Sequence, residues 1–573
     1  MKQVQVPDWA RDVVWYQIFP ERFRNGCASS NPEISDFSVR EIPGWCISDW
    51  GQDWYGLADW ESKVGGFFQS VYSRRFGGDL VGVREKLDYL QELGVTGIYL
   101  NPIFHAQSLH KYDATSYHHI DPTLGPDRAG DLRMIAEAQE TDDPATWVWT
   151  AADRFFVELV KDIHERGMRV IIDGVFNHTG KAFFAFQDLL KNGKKSRYRG
   201  WYRVRKWHDD GRFDYKGWFG VKDLPELGRR KGNLKPAIRD YIHHITRRWM
   251  DPHGNGDLSY GIDGWRLDVA FCVPTDFWRE WRKVVKGINP EAYTTAEIVA
   301  DARAYLQGDQ FDAVMNYMWA YPVTDFFIRG TYTIGSTACR EKLQALLDAY
   351  PQPVNGVLQN LLDSHDTARI LTIIANPDRP KSHWDDYFCQ FRLWNHRDLE
   401  TFQPGAAEKA VLRQLIMMQM TFLGAPMLYY GTEAGMWGAN DPDDRQPMLW
   451  DDLEYEQQER NIHGEVRAVI RRPDGELFAF CQRAIRLRKE HPALRHGAVE
   501  WLDCGDERVL GFVRRHEDQA IAVLFNVADE AIRVNLPFTG NDLWRGERIE
   551  ECEKGIPVRS WVVVSNEDDG TDR

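Results

Sequence analysis

No stretch of about 18 consecutive apolar residues occurs in the sequence, so nothing in it reads as a membrane-spanning helix. The opening residues, Met1 to Ala10, put Pro7 and Asp8 where a secretory signal needs an apolar run, which points to a cytoplasmic protein. The eight cysteines (Cys27, Cys46, Cys272, Cys339, Cys389, Cys481, Cys504 and Cys552) include no C-x-x-C pair. That excludes the usual zinc and redox motifs and leaves free thiols as the expectation. Low-complexity tracts, repeats of solenoid period and Pro/Ser-rich linkers are missing as well, so the parts should pack directly on one another. Positive charge is in deficit. A formal net charge of -15 disfavours a nucleic-acid backbone or an anionic membrane as partner, and a neutral substrate fits better.

What is present is a chain of 573 residues, 43% hydrophobic and 27% charged, enough for one large catalytic unit and smaller accessory domains. Short β-branched and aromatic runs alternate with helical patterns, the signature of repeated βα units. Val13 to Phe19, Gly97 to Leu100, Arg169 to Phe176, Ile262 to Val269, Tyr293 to Ile298, Ala313 to Tyr317, Val357 to Leu362 and Met427 to Tyr430 read as eight strands. Eight parallel strands can close into an α/β (β/α)₈ barrel. Helices are clearest at Val81 to Leu93 and Asp153 to Arg166, where apolar residues recur at three-to-four spacing. The polar, aromatic and glycine-rich stretch after the third strand predicts an inserted lobe over 177–260, which leaves 1–176 and 261–497 to the barrel. From residue 498 to 573 alternating strands such as Val509 to Val513 and Ile521 to Phe525 predict an antiparallel β-sandwich domain.

Catalytic groups on such a barrel sit at the C-terminal ends of strands. Four predicted strand ends carry polar residues there: Asp173-Gly-Val-Phe-Asn177-His178, Gly264-Trp-Arg266-Leu-Asp268, Thr295-Ala-Glu297 and Asp363-Ser-His365-Asp366. A single Asp at a strand end is most often a cap or a turn former. Four carboxylate-bearing ends, with two histidines and an arginine, are hard to explain as independent caps, and Glu297 is a poor cap in any case. A cluster of titratable groups at one face is what catalysis requires. The pairs His118-His119 and His243-His244 invite a metal reading, but adjacent side chains diverge on a helix or strand, so both are taken as structural.

These segments resemble the signature regions of the α-amylase family of glycoside hydrolases. Trp15-Tyr-Gln-Ile-Phe-Pro-Glu-Arg-Phe, Gly77-Gly-Asp-Leu, Lys111-Tyr-Asp, Asp173 to His178, Gly264 to Asp268, Glu297 and His365-Asp366 follow the family's order over most of the chain. The resemblance implies an active enzyme that cleaves α-glucosidic bonds in α-glucan oligosaccharides, by hydrolysis or by transfer. The alternative is a non-catalytic barrel used for binding, against which the complete carboxylate and histidine sets argue.

By that resemblance Asp268 is the nucleophile, Glu297 the general acid/base and Asp366 the carboxylate that stabilises the transition state. A retaining glycosidase needs this division, one ionised carboxylate to attack and one protonated carboxyl to release the leaving oxygen. Asp173 belongs to the same substrate-binding set. Arg266 shares a strand face with Asp268 and can hold it ionised. His178 and His365 match histidines that hydrogen-bond the sugar, and Tyr112 matches the aromatic platform beneath it. Asn440-Asp441-Pro-Asp-Asp-Arg445 resembles a loop whose Asp441 and Arg445 bind the next sugar, although a solvated turn is the competing reading.

Asn177-His178-Thr179-Gly180, the Phe183 to Leu190 helix and Gly435-Met-Trp-Gly resemble the neopullulanase, cyclomaltodextrinase and maltogenic amylase branch. That branch usually carries an extra N-terminal β domain that helps form a dimer and narrows the active site. Here the barrel begins by about Asp12, so the dimer and the preference for small cyclic substrates are not carried over, and the oligomeric state stays open. Phe271-Cys272 and Val299 replace the branch's Asn-Glu and an aromatic on the leaving-group side, which leaves the balance of hydrolysis and transfer open. Asn25-Gly-Cys27-Ala-Ser-Ser-Asn31 resembles a calcium loop, with Cys27 where an acidic ligand is expected. Calcium prefers hard oxygen donors, so tight binding is not predicted and no cofactor is required.

Overall fold

The computed structural model describes residues 4–37 and 41–566. Eight strands form one sheet: β1 (Trp15–Ile18), β2 (Gly97–Leu100), β3 (Arg169–Gly174), β4 (Gly264–Leu267), β5 (Tyr293–Ala296), β6 (Ala313–Val314), β7 (Gln359–Leu361) and β8 (Ala425–Tyr429). All neighbours pair in parallel, in the order β6-β5-β4-β3-β2-β1-β8-β7. The ring is drawn together between β6 and β7 by a parallel bridge from Met315 to Gln359 and by the Asn316 N–H donating to the Gln359 carbonyl at 2.8 Å. This is a (β/α)₈ barrel whose last seam is narrow. Close strand approach explains Gly264 at the start of β4, since a Cβ there would stand 1.8 Å from the Tyr293 carbonyl oxygen on β5.

Most predicted strands run past the paired region at one end or the other. The chain beyond the C-terminal ends turns into loops that carry the site. The predicted helix over Val81 to Leu93 is two helices, Leu80–Glu85 and Leu87–Leu93, separated at Lys86, whose ammonium lies over the Trp450 ring and near Asp452. The second predicted helix begins earlier, at Ala151, because Thr150 and Asp153 form a reciprocal capping box.

After β3 the chain leaves the barrel into a helix, Phe184–Asn192, and three short hairpins built from Val204–Trp207 with Phe213–Tyr215, Gly217–Trp218 with Val221–Pro225, and Arg229–Arg230 with Asn233–Leu234. The next helix, Pro236–Met250, buries Ile238, Tyr241, Ile242, Ile245 and Trp249 and packs beside Thr275–Ile288. It therefore belongs to the ring of barrel helices, and the protruding lobe ends near Lys235, short of the expected boundary at 260.

The C-terminal region has a six-stranded antiparallel sheet with a two-stranded sheet beside it. Its central strands are Val509–His516, Gln519–Asn526 and Ser560–Ser565. Alternation splits their side chains between two cores. Leu510, Phe512, Ile521, Val523, Phe525 and Val563 join the barrel's core, while Val513, Ala522, Leu524, Val562 and Val564 pack with Val534 and Ile556 of the small sheet. Both faces of the sheet are covered, and its barrel side docks directly on the catalytic unit.

Candidate active site

Alternation along β4 positions the centre. Trp265 faces outward and packs against Phe176 and Trp281, while Arg266 points into the barrel and Asp268 lies just past the last strand residue on the same side. Val269 then adopts a left-handed conformation at φ 37°, a strained choice for a β-branched residue. That bend directs its N–H to Glu297 Oε2 at 2.8 Å and so ties the end of β4 to the carboxylate that follows β5.

Arg266 is fully buried and holds three carboxylates together. Its Nη1 donates to both oxygens of Asp173 at 2.9 Å and to Asp268 Oδ1 at 3.1 Å, and its Nη2 faces Glu297 Oε2 at 3.0 Å. Burial opposes the guanidinium charge, but Asp173, Tyr99 and Glu297 together raise its pKa well above the ordinary value. Asp173 also accepts from Tyr99 at 2.8 Å and Tyr112 at 3.0 Å. With its oxygens so engaged, Asp173 acts on the site by orienting Arg266 and Tyr112.

Burial raises the Asp268 pKa well above the usual carboxylate range, the charge of Glu297 adds to this, and Arg266 works against it. Burial and then Glu297 push Asp366 up to about 7 against the pull of Arg445 and Arg266.

Both histidines are kept neutral. Burial lowers His178 to about 4, and burial together with Arg445 and Arg266 takes His365 well below its ordinary value. Gln17 donates its Nε2 to His365 Nδ1 at 2.8 Å, which leaves the proton of His365 on Nε2, facing Tyr112 and Asp366. The Tyr112 and His365 rings stack at 5.7 Å. Asn177 bonds to His178 Nδ1 at 3.1 Å, and His178 Nε2, although close to the Tyr112 backbone, has no hydrogen-bond partner among the described residues. A buried ring nitrogen left open in this way suits a sugar hydroxyl.

The 440–445 segment is packed against the centre instead of forming a solvated turn. Arg445 is buried; it donates to the His365 carbonyl at 2.8 and 2.6 Å, pairs with Asp441 at 3.1 Å and reaches Asp366 at 3.4 Å. The lobe supplies an aromatic edge, with Trp218 beside His178 at 5.7 Å and Phe219 beside Trp218 at 5.1 Å. Cys272 lies near Trp218, and Phe271 is exposed next to it. Val299 is half-buried and its carbonyl accepts from Tyr321 at 3.2 Å.

Tyr112, Asp173, Arg266, Asp268, Glu297, His365, Asp366, Asp441 and Arg445 thus form one connected network, with His178 at its edge. Sequence reasoning gave no individual role to Gln17, Tyr99 or Asn177. Each was visible as a polar side chain within or just beyond a buried strand, the pattern that marks an inward-facing functional position.

The Asn25 to Asn31 loop packs beside Asp79. Asp79, the nearby carboxylate, accepts N–H bonds from Gly26, Cys27 and Gly82, and Asn25 donates to Asn31 Oδ1 at 2.7 Å. Cys27 Sγ lies near Ser29 Oγ at 3.3 Å and Pro126 O at 3.7 Å, so the local donor set includes a thiol and an already occupied carboxylate. The histidine pairs behave differently from each other. His243 and His244 diverge, toward Phe277 and Trp147. Residues 117–119 form bends instead of a strand, so period-two alternation does not apply, and His118 and His119 both meet Glu140 Oε2, at 3.1 and 2.8 Å. The second of these also bonds to Asp153 at 2.8 Å and anchors the segment that carries Tyr112.

Residues 17–142 and 151–497 match the Alpha-amylase family, described as alpha amylase, catalytic domain. A cyclomaltodextrinase from Geobacillus thermopakistaniensis is 35% identical over 543 residues, 94% of this chain and 73% of that protein. Neopullulanase 2 from Thermoactinomyces vulgaris is 35% identical over 544 residues, with 94% and 73% covered. Among solved structures, the cyclic α-maltosyl-(1→6)-maltose hydrolase from Arthrobacter globiformis superposes with a TM-score of 0.71 at 26% identity, covering 98% of this chain and 100% of that one. With its matched residues spanning the barrel and every carboxylate of the network, the chain belongs to the α-amylase family and is a glycoside hydrolase.

Proposed function

We propose that this enzyme hydrolyses α-1,4-glucosidic bonds in soluble maltooligosaccharides, with cyclodextrins and pullulan as further substrates, by double displacement. The observation that carries this reading is Arg266 holding Asp173, Asp268 and Glu297 around one guanidinium, opposite Asp366. The names of the cyclomaltodextrinase and neopullulanase relatives support the substrate range.

Asp268 attacks the anomeric carbon, the bond to the glycosidic oxygen breaks, and Glu297 gives that oxygen its proton. Asp366, braced by Arg445 and His365, stabilises the positive charge that develops on the ring. Water then gives a proton back to Glu297 and attacks the glycosyl ester, which frees Asp268. A sugar hydroxyl in place of water gives transfer. Tyr112, His178 and His365 bind the sugar whose bond is broken, and Asp441 with Arg445 binds the one beyond it. These groups supply every nucleophile and proton the scheme uses, so the reading needs no cofactor.

All eight cysteines are free, which fits a reducing compartment and supports a cytoplasmic location. Among the described residues no helix is long and apolar enough to cross a membrane. Reducing-sugar release from maltotriose, soluble starch, pullulan and cyclodextrins tests the function directly, with product chromatography to separate hydrolysis from transfer. Failure to act on all four would end the reading.

A further inference from the structure

The lobe differs from the rest of the molecule in charge. Residues 177–235 carry 16 Lys and Arg against 6 Asp and Glu, a formal +10 in a chain whose total is -15, so the remainder stands at -25. The positive charge converges on a cavity of about 510 Å³ whose walls include Arg203, Arg205, Lys216, Arg229 and Lys235. One carboxylate answers three of these cations. Glu226, almost fully buried, meets Arg203 at 2.5 Å, Lys216 at 3.1 Å and Arg229 at 3.6 Å. Arg229 Nε is buried with no hydrogen-bond partner among the described residues.

We propose that this cavity is an anion site that takes a phosphate group. A solvated basic face would spread its cations apart, whereas here three crowd around a single carboxylate and two more stand on the same wall. Burial and then the neighbouring charge of Arg203 lower the pKa of Arg229, with Glu226 opposing. Phosphate fits the surplus of cations. It brings about 1.5 to 2 negative charges at neutral pH and several acceptor oxygens, which match guanidinium forks.

The pocket backs directly onto the substrate site. Glu226 forms a β-bridge with His178, flanked by Leu227 N–H donating to Asn177 O at 3.0 Å and Thr179 N–H donating to Pro225 O at 3.2 Å. Arg229 also donates to Asn177 Oδ1 at 2.9 Å. An occupant would thus brace the residues that position His178. The phosphate is either free or carried on a sugar.

Calorimetric titration of the full chain with inorganic phosphate, at constant ionic strength set with chloride, tests the site without turnover. The same titration with glucose 6-phosphate identifies the source. Saturable one-to-one binding, weakened at least about tenfold in an Arg205→Ala/Lys235→Ala variant, is the expected result. Tighter binding of glucose 6-phosphate assigns the phosphate to a sugar, and equal or weaker binding assigns it to the free ion. Both of those positions lie on the cavity wall away from the catalytic groups, and Arg229→Gln is the second variant if the first fails to fold. Absence of saturable binding by either probe, or unchanged affinity in a folded variant, overturns the proposal. So does binding of a duplex oligonucleotide that phosphate does not displace.

Discussion

Replacing Asp366 by Asn should abolish turnover and at the same time stabilise the fold. The Asp366 carboxyl is pushed up to about 7 from an ordinary 3.8 by burial and by Glu297, with Arg445 and Arg266 opposing. A carboxyl whose folded pKa exceeds its unfolded one binds its proton more tightly in the native state. The native fold is therefore unpenalised below about pH 4 and loses stability as the pH climbs toward 7. At about 1.4 kcal/mol per pH unit, the whole shift corresponds to roughly 4 kcal/mol. The side chain is 24% exposed, and solvent screening reduces this to about 2 kcal/mol. Asn keeps the shape and removes the charge, so the variant should melt a few degrees higher near neutral pH, with the gain vanishing near pH 4. Calorimetric melting at both pH values, beside kcat on maltotriose, measures both halves of the expectation. A variant that melts lower than the parent at neutral pH, or gains equally at both pH values, would refute the electrostatic reasoning.

Asp268→Asn and Glu297→Gln should each lower kcat by about 10³-fold or more with circular dichroism unchanged, and near-parental rates in either would end the assignment of roles. Proton NMR of early reaction mixtures should show the α anomer first, because two inversions restore the configuration; predominantly β product would mean a single displacement. Arg266→Lys should cost about 3 kcal/mol of stability and reduce kcat/KM by about 10²-fold, since a single nitrogen cannot reproduce the two Nη positions that face Asp173 and Asp268 on one side and Glu297 on the other, and thermal melts with steady-state kinetics test this. Gly264→Ala should destabilise by about 4 kcal/mol or more through its clash with the Tyr293 carbonyl, and a parental melting temperature would contradict the close approach of β4 and β5.

The sequence by itself determined the barrel and the identity of its chemical groups. Period-two alternation through Gly264-Trp-Arg266-Leu-Asp268 already sends Arg266 and Asp268 to one side, and buried strands are bound to read as apolar runs. Local chemistry was legible wherever neighbours in sequence decide the outcome. Tertiary structure alone decided how distant segments share one charge. Arg266 collects carboxylates from the C-terminal ends of three different strands, and Arg445 is drawn from a charged turn into a buried contact with Asp366. The same holds for Pro236–Met250, whose sequence follows the lobe but whose apolar stripe is buried against a barrel helix. It holds again for His118 and His119, which converge on Glu140 because the backbone bends between them. Each of these turns on which surfaces remain to be buried, and which charges must be paired, once the barrel has closed. That is a property of the assembled chain and not of any window along it.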